Sequence, residues 1–300
     1  NRASVKRAIA ILEKEEIIEC IPSVGMVVKR LPQVKMLIGY LVRSLKDPFH
    51  LEMIREMDKL LIHYNAGLIV AEGESADRLL EMGANRIVKG GQLEHTSNED
   101  KVKTVYIGSN DYSHFSISID NKKGMELIYD HSKGLGHRRI SFISSKIEII
   151  GSATDIRFTL LKELAETNEE KEYIDAHSFF IESYSEYECA RVIEKILEME
   201  KKPTALVCSS DWLAIEITQQ ALGRGIPIPD ELSITGFDNI YMSSMLNIPL
   251  TTIDFPIQKA ADETVKVLFD EQSGPYQVIC DPQLVVREST AQVKKEFSKL

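Results

Sequence analysis

The stretch PTALVCSSDWLAIEITQQALGRGIPIPDELSITGFD, residues 203–238, decides the fold of this chain. It begins with the apolar run 205–208, which has the length and composition of a buried strand. A helical pattern follows over 212–222, Gly223 can end that helix, and a second strand begins at Ile234. A strand, a helix and a strand within about 30 residues form a βαβ unit. The sequence therefore predicts a parallel sheet.

Two carboxylates follow the strands of this unit directly, Asp211 after the first strand and Asp238 after the second. Ligands of open parallel sheets bind beyond the carboxyl ends of the strands. Both side chains are therefore candidate ligand contacts, because carboxylates accept hydrogen bonds from a polyol or an amine. Asp211 is also well placed to cap the helix, since a carboxylate accepts from the free N–H groups of a first turn.

The chain resembles the effector-binding domain of the LacI/GalR transcriptional regulators, which share the fold of periplasmic sugar-binding proteins. The segments that carry the resemblance are PTA (203–205), SSDWLA (209–214), PIPDELSITGFDN (227–239), GLGHRRISFI (134–143), PLTTI (249–253) and REST (287–290). The resemblance implies an α/β fold of two lobes, each built on a parallel sheet and joined by three hinge crossovers. A small ligand is then expected between the lobes.

This resemblance also implies how the chain is divided. The effector-binding domain is expected over residues 34–290, after a short proline-containing linker at 31–33. The polar tail 291–300 is expected to fray. The expected lobe boundaries are 34–136 with 254–275 for the first lobe, and 137–253 with 276–290 for the second.

The first 30 residues have a different character. Apolar residues at helical spacing predict a helix over 4–16, and two short strands are predicted at 17–21 and 26–29 around a turn. This order resembles the second half of a GntR-type winged helix, which is the recognition helix followed by the wing. The first two helices of such a domain are absent from this sequence, so we expect the chain to start partway through it.

The GntR-type resemblance implies which side chains contact DNA. Arg2, Ser4, Lys6 and Arg7 lie at or near the start of the recognition helix, and Gly25 lies at the tip of the wing. Guanidinium, ammonium and hydroxyl groups bind base edges and phosphates, and glycine permits a close approach of the backbone. The alternative interpretation is a solvated helix face followed by an ordinary hairpin turn.

Charge is unevenly distributed along the chain. The formal net charge is −10, yet residues 1–30 carry six Lys/Arg and four Glu, which leaves the remainder at about −12. A wholly acidic surface is unsuited to nucleic acid, whereas a small basic head on an acidic body is compatible with DNA contact at one end.

Further effector contacts are implied by the LacI/GalR resemblance. Arg157 lies where these regulators bind effector hydroxyl or carboxylate groups; the alternative is a surface arginine paired with Asp155 or Glu163. Asp120 follows a predicted strand, but it can instead cap the next helix. Ser210 stands where many related regulators have asparagine.

Aromatic side chains complete the expected site. Phe49 and His50 fall at the mouth of the cleft, where an aromatic ring can stack on a sugar; Phe49 can equally be the hydrophobic staple of its helix. Trp212, the single tryptophan, is a stacking platform, a core residue or part of a dimer interface.

Composition excludes several classes of protein. With 300 residues and 43% apolar content, the chain can form about two domains with cores. No apolar run approaches the roughly 20 residues that cross a bilayer, and the start has no apolar signal core, so we expect a cytoplasmic protein that contacts no membrane. The four cysteines are widely spaced and read as reduced thiols, and neither they nor the seven histidines form ligand pairs. No metal or cofactor is therefore expected.

Taken together, the two resemblances predict a regulator similar to the arabinose repressors: a homodimer that binds operator DNA and a small sugar or sugar derivative. The alternative is a solute-binding protein of a transport system, which shares the fold. An enzyme that uses Asp211 and Asp238 as an acid–base pair has little support, because the sequence shows no activated nucleophile, metal set or nucleotide-binding loop. We therefore expect no catalytic residues.

Overall fold

A computed structural model describes residues 2–14, 18–21, 25–28, 36–73, 75–91, 93, 101–108, 114–146, 155–270, 274–275 and 277–294. The strands are β1 (Ile18–Ile21), β2 (Gly25–Val28), β3 (Met36–Val42), β4 (Ala66–Glu72), β5 (Arg86–Gly90), β6 (Lys103–Ile107), β7 (Phe115–Ile119), β8 (Ile140–Ser145), β9 (Phe179–Ile181), β10 (Ala205–Cys208), β11 (Ser233–Thr235), β12 (Thr252–Asp254), β13 (Gln277–Cys280) and β14 (Gln283–Val285). The α-helices are α1 (Arg2–Lys14), α2 (Pro48–Leu61), α3 (Asp77–Glu81), α4 (Asn121–Gly134), α5 (Ile156–Leu164), α6 (Asn168–His177), α7 (Glu186–Glu198), α8 (Asp211–Gly223) and α9 (Ile257–Phe269).

The amino-terminal unit is a helix followed by a two-stranded hairpin. Strands β1 and β2 pair antiparallel, with Ile18 opposite Val28 and Ile21 opposite Gly25. Gly25 has a φ of +104°, a backbone conformation that favours glycine. The elements occur in the predicted order, although α1 begins at Arg2 rather than at residue 4. The predicted linker at 31–33 lies outside the described residues.

The first lobe is built on a six-stranded parallel sheet with the strand order β13–β7–β6–β5–β3–β4. Strand β3 is almost entirely apolar because helices cover the sheet on both faces. Helix α2 buries Met53, Met57 and Leu61 against this core. The predicted parallel sheet is therefore present in the first lobe.

The second lobe is built on a parallel sheet with the order β11–β10–β8–β9. Strand β10 lies beside β11, with Ala205 opposite Ser233, and α8 connects the two. This is the βαβ unit predicted from residues 203–238. The α/β fold with two parallel sheets is confirmed.

Short segments connect the lobes at three places. The chain passes from β7 to α4 near residue 120, from β12 to α9 near 255, and from β13 to β14 near 281. Strands β12 and β14 pair antiparallel, with Thr252 opposite Val285. The predicted three hinge crossovers are therefore present.

Both predicted lobe boundaries require correction. Helix α4 belongs to the second lobe: Tyr129 donates a hydrogen bond to Glu170 on α6 (3.2 Å), and Gly124 allows close approach to Phe237. The boundary between the lobes therefore lies near residue 119 rather than at 136, because the apolar face of α4 packs on the second lobe. Residues 277–280 are predicted in the second lobe, but they form β13, which pairs with β7 of the first lobe.

The first residues of the predicted tail, 291–294, are hydrogen-bonded to the second lobe instead of fraying. The backbone N–H of Val293 donates to the carbonyl of Leu135 (2.9 Å), and that of Ala291 donates to Ser233 Oγ (3.1 Å). Residues 295–300 lie outside the described part of the chain. Within that part, no helix combines the length and apolar character needed to cross a membrane.

Candidate ligand-binding site

A cavity of about 550 Å³ lies between the two lobes. Its walls are the segments that follow β3, β5, β6 and β7 of the first lobe and β8, β9, β10 and β11 of the second. Both sheets therefore present their carboxyl ends to the same space, where parallel-sheet proteins bind their ligands. The predicted residues that line it are Phe49, His50, Arg157, Ser210, Trp212 and Asp238.

Arg157 is held in a fixed orientation at the start of α5. Asp155 caps this helix by accepting from the backbone N–H of Arg157 (2.8 Å). The guanidinium donates from Nε to Asn121 Oδ1 (2.9 Å) and from Nη1 to the carbonyl of Ser209, and it lies 3.9 Å from the ring centroid of Phe237. The side chain therefore makes these contacts instead of the ion pair with Asp155 or Glu163 that the sequence left open. A planar fork fixed in this way suits recognition of hydroxyl or carboxylate oxygens.

The loop that carries Asp238 is tied to the hinge strands. Asp238 and Asn239 have φ values of +110° and +53°, which are uncommon for residues other than glycine. Asn239 donates to Asp254 Oδ1 (2.7 Å) at the end of β12 and accepts from Arg287 (2.5 Å) just after β14. These bonds hold Asp238 in the cavity wall.

The structure corrects the assignment of Asp211. Its side chain is fully buried and does not line the cavity. Its carboxylate accepts from the hydroxyl of Thr252 (2.5 Å) and from the backbone N–H of Ile240 (3.0 Å). Burial raises its pKa to about 7, against the opposing effect of these hydrogen bonds. Asp211 therefore positions the 238–240 loop instead of meeting a ligand. The cap of α8 is Ser210, which accepts from Leu213 N (3.4 Å).

Asp120 also lies outside the cavity lining. It caps α4 by accepting from the backbone N–H of Lys123 (2.9 Å), which is the alternative that the sequence left open. The next residue, Asn121, lines the cavity instead. Asp120 is therefore the cap of α4 and Asn121 is the cavity-lining residue, because the first helical residue faces the cavity while the cap turns back on the helix.

Aromatic rings face the cavity from both lobes. Phe49 packs edge-on against Phe255, with ring centroids 5.0 Å apart, so it is both a wall of the cavity and part of the core. Trp212 packs against Tyr184 at 4.8 Å. Planar apolar faces of this kind suit the C–H face of a sugar ring or a flat heterocycle.

Asn121, Tyr184 and Phe255 line the cavity without having been predicted. Tyr184 follows β9, a three-residue strand too short to stand out in the sequence. Phe255 lies at a hinge crossover. The signal available for all three was position, since each follows the carboxyl end of a strand.

A close contact beneath the loop gives a test of this packing. A Cβ on Gly236 would lie 2.1 Å from Asp211 Oδ1 and 2.8 Å from Leu250 Cδ2. We expect Gly236→Ala to lower the free energy of unfolding by about 1–3 kcal/mol, because buried groups must shift. Gly223→Ala is the matched control, since a Cβ there meets no atom within 4 Å. Equal stability of the two variants in denaturant titrations would contradict this packing.

The model of the periplasmic binding protein-like domain matches residues 129–290 of the chain, which is more than half of its length. The chain belongs to this family.

Relatives of this periplasmic binding protein-like chain include transcriptional repressors. The HTH-type transcriptional repressor PurR of Mannheimia succiniciproducens is 25% identical over 281 residues, which is 85% of this chain and 81% of that protein. The arabinose metabolism transcriptional repressor of Geobacillus stearothermophilus is 27% identical over 187 residues, 59% of this chain and 50% of that one. A LacI family transcriptional regulator from Enterococcus faecium, solved with bound ribose, has a TM-score of 0.71 at 20% identity and covers 86% of this chain and 100% of that one.

These comparisons agree with the LacI-type part of the predicted resemblance. They give no support to the GntR-type assignment of residues 1–30, since the relatives are HTH-type and LacI-family regulators and the family match begins at residue 129.

Proposed function

We propose that this chain is a ligand-responsive transcriptional regulator that binds a small sugar or sugar-like effector between its lobes. The observation that carries the proposal is the inter-lobe cavity, in which Arg157 and Asp238 are held at the ends of strands from the second sheet. Similarity to repressors, rather than to transport proteins, supports regulation over solute delivery.

The effector contacts that we propose are Arg157, Asp238, Asn121, His50, Phe49, Trp212 and Ser210. Cationic and anionic groups both line the cavity. The cations are Arg43, Lys46 and Arg157, and the carboxylates are Asp47, Asp155 and Asp238. Asp47 and Asp155 are occupied as caps of α2 and α5. Mixed donors and acceptors beside aromatic rings suit a polyhydroxylated ligand.

Residues 2–28 are the proposed DNA-contacting unit. Lys6 and Arg7 are exposed on α1, and Arg2 and Ser4 lie in the first turn of the same helix. Gly25 is the first residue of β2 and lies opposite Ile21, the last residue of β1. With Lys29 and Arg30 included, residues 1–30 carry six Lys/Arg against four Glu, and a basic end on an acidic body favours contact with phosphates there. The exposed basic side chains of α1 support this contact, whereas the GntR-type resemblance that implies the same residues has no support from the relatives.

The proposed mechanism couples the two ends of a homodimer. Closure of the lobes about the hinges alters the spacing of two DNA-contacting units on a pseudo-palindromic operator in the cytoplasm. Effector and operator then change each other's affinity by the same factor. Asn239, next to Asp238 in the cavity wall, is hydrogen-bonded to Asp254 at the end of β12 and to Arg287 just after β14. These bonds connect the cavity to the hinge strands.

A thermal-shift screen over sugars, phosphosugars and nucleosides tests the effector proposal. A compound at 100 times its Kd should stabilise the chain by about 2.7 kcal/mol. The absence of any response across the panel would count against a sugar-like effector.

A further inference from the structure

Tyr40 and His50 form a buried pair in the wall of the cavity. Tyr40, on β3, is completely buried, and its hydroxyl lies 3.1 Å from His50 Nδ1. Among the described residues, this nitrogen is the one hydrogen-bond partner found for the hydroxyl. His50, on α2, is 8% exposed and lines the cavity.

The direction of this hydrogen bond follows from the burial of Tyr40. Burial raises the pKa of the phenol well above its usual range, so the hydroxyl keeps its hydrogen. If Nδ1 carried a hydrogen and donated to the phenol, the hydroxyl hydrogen would be buried without an acceptor, which is costly. The hydroxyl therefore donates to a bare Nδ1.

The second ring nitrogen must then carry the proton of a neutral imidazole. Burial lowers the pKa of His50, outweighing the opposite effect of Asp47. Nε2 lies 3.9 Å from Asp47 Oδ2, which is too long for a hydrogen bond. No residue that the structure describes accepts a hydrogen bond from this Nε2–H group, so it is a donor at the cavity wall.

Gly90 leaves the space that the imidazole occupies. A Cβ at this position would lie 2.6 Å from both Nδ1 and Cε1 of His50 and 3.1 Å from Tyr40 Cε1. Phe49 packs edge-on against the same imidazole, with centroids 5.1 Å apart. The ring is therefore fixed in both position and tautomer.

We propose that Tyr40 is a positioning residue that makes His50 present its Nε2–H to an acceptor atom of the effector. The proposal rests on the regulator function argued above, and it adds a chemical requirement. The effector should carry a neutral oxygen or ring nitrogen, such as a sugar hydroxyl or a carbonyl, at the end nearest α2. An ammonium group there would be rejected because it brings a donor against a donor.

The tautomer can be measured without any ligand. Long-range ¹H–¹⁵N spectra of the full chain should show a bare Nδ1 and a protonated Nε2 for His50, assigned by loss of the signals in His50→Gln. Tyr40→Phe should give a mixture of tautomers, whereas His137, which is buried between Thr204 and Ala291, should keep its signals. A proton on Nδ1, or an imidazolium at neutral pH, overturns the proposal and leaves the regulator function untouched.

The donor role is then tested with L-arabinose, D-ribose and D-galactose as probes. Any of these sugars that stabilises the chain should shift the His50 Nε2–H signal. It should also bind His50→Leu about tenfold more weakly than His50→Gln, because the glutamine amide retains a donor. A stabilising sugar that leaves the signal unmoved overturns the assignment of His50 as its donor.

Discussion

Arg157→Ala is expected to lose effector binding almost completely while both lobes stay folded. The variant removes a planar group that is held against Asn121, Ser209 and Phe237 at the cavity wall. Two charge-assisted hydrogen bonds to a ligand are worth about 1.5–3 kcal/mol each, so affinity should fall at least about 100-fold. At a ligand concentration of 100 times the original Kd, the stabilisation should then drop from about 2.7 to about 0.4 kcal/mol.

Two further variants separate this effect from a general loss of charge or fold. Arg224→Ala removes the same group at the C-cap of α8, where Arg224 pairs with Glu194 (2.9 Å), and should leave the ligand response intact. Arg157→Lys keeps the charge without the planar fork and should bind with intermediate affinity. An unchanged response of Arg157→Ala would show that the effector binds elsewhere.

Asp211 is expected to make the chain less stable as the pH rises from about 4 to about 7. Its pKa is about 7 in the folded chain because of burial, against about 3.9 in an unfolded one. Between these values the folded state holds a proton that the unfolded state has released. The contribution of Asp211 to the free energy of unfolding is therefore complete below pH 4. It declines as the pH rises towards 7, by about 4 kcal/mol in total.

Asp211→Asn should remove this contribution. An amide at this position can accept from Ile240 N–H and donate to the Thr252 hydroxyl, so the packing is preserved. We expect denaturant titrations to show similar stability for the variant and the wild type at pH 4, and a more stable variant at pH 8. Asp58→Asn, at an exposed position on α2, is the matched control for a lost charge. Its free energy of unfolding should depend on pH as that of the wild type does. Parallel pH profiles for wild type and Asp211→Asn would refute the role of Asp211.

The βαβ unit at 203–238 was predictable because strand, helix and turn residues there all favour the same structure. The cavity followed from it, since the carboxyl ends of parallel strands meet at one edge. The sequence could not predict that Asp211 is buried beneath the 238–240 loop while Asp238 lines the cavity. Both residues follow strands, and only the folded loop distinguishes them. The same limit applies to α4, whose apolar face does not reveal which lobe it will cover.

The His50 site was only half predictable. The sequence predicted that the rings of Phe49 and His50 lie at the opening of the cleft. It did not show that the partner fixing the imidazole is Tyr40, ten positions earlier on a buried strand. Gly90, at the end of β5, is the position where the absence of a side chain leaves room for that ring. Contacts of this kind depend on side chains that meet across the sheet, which local patterns do not encode.

The most direct measurement of the central claim is a crystal structure of the chain with the compound that stabilises it most in the screen. Electron density for that compound should lie between the lobes, with polar atoms about 3 Å from Arg157 and Asp238. Density for the compound at any other surface, with Arg157 still bound to Asn121 and Ser209 and touching no ligand atom, would contradict the account.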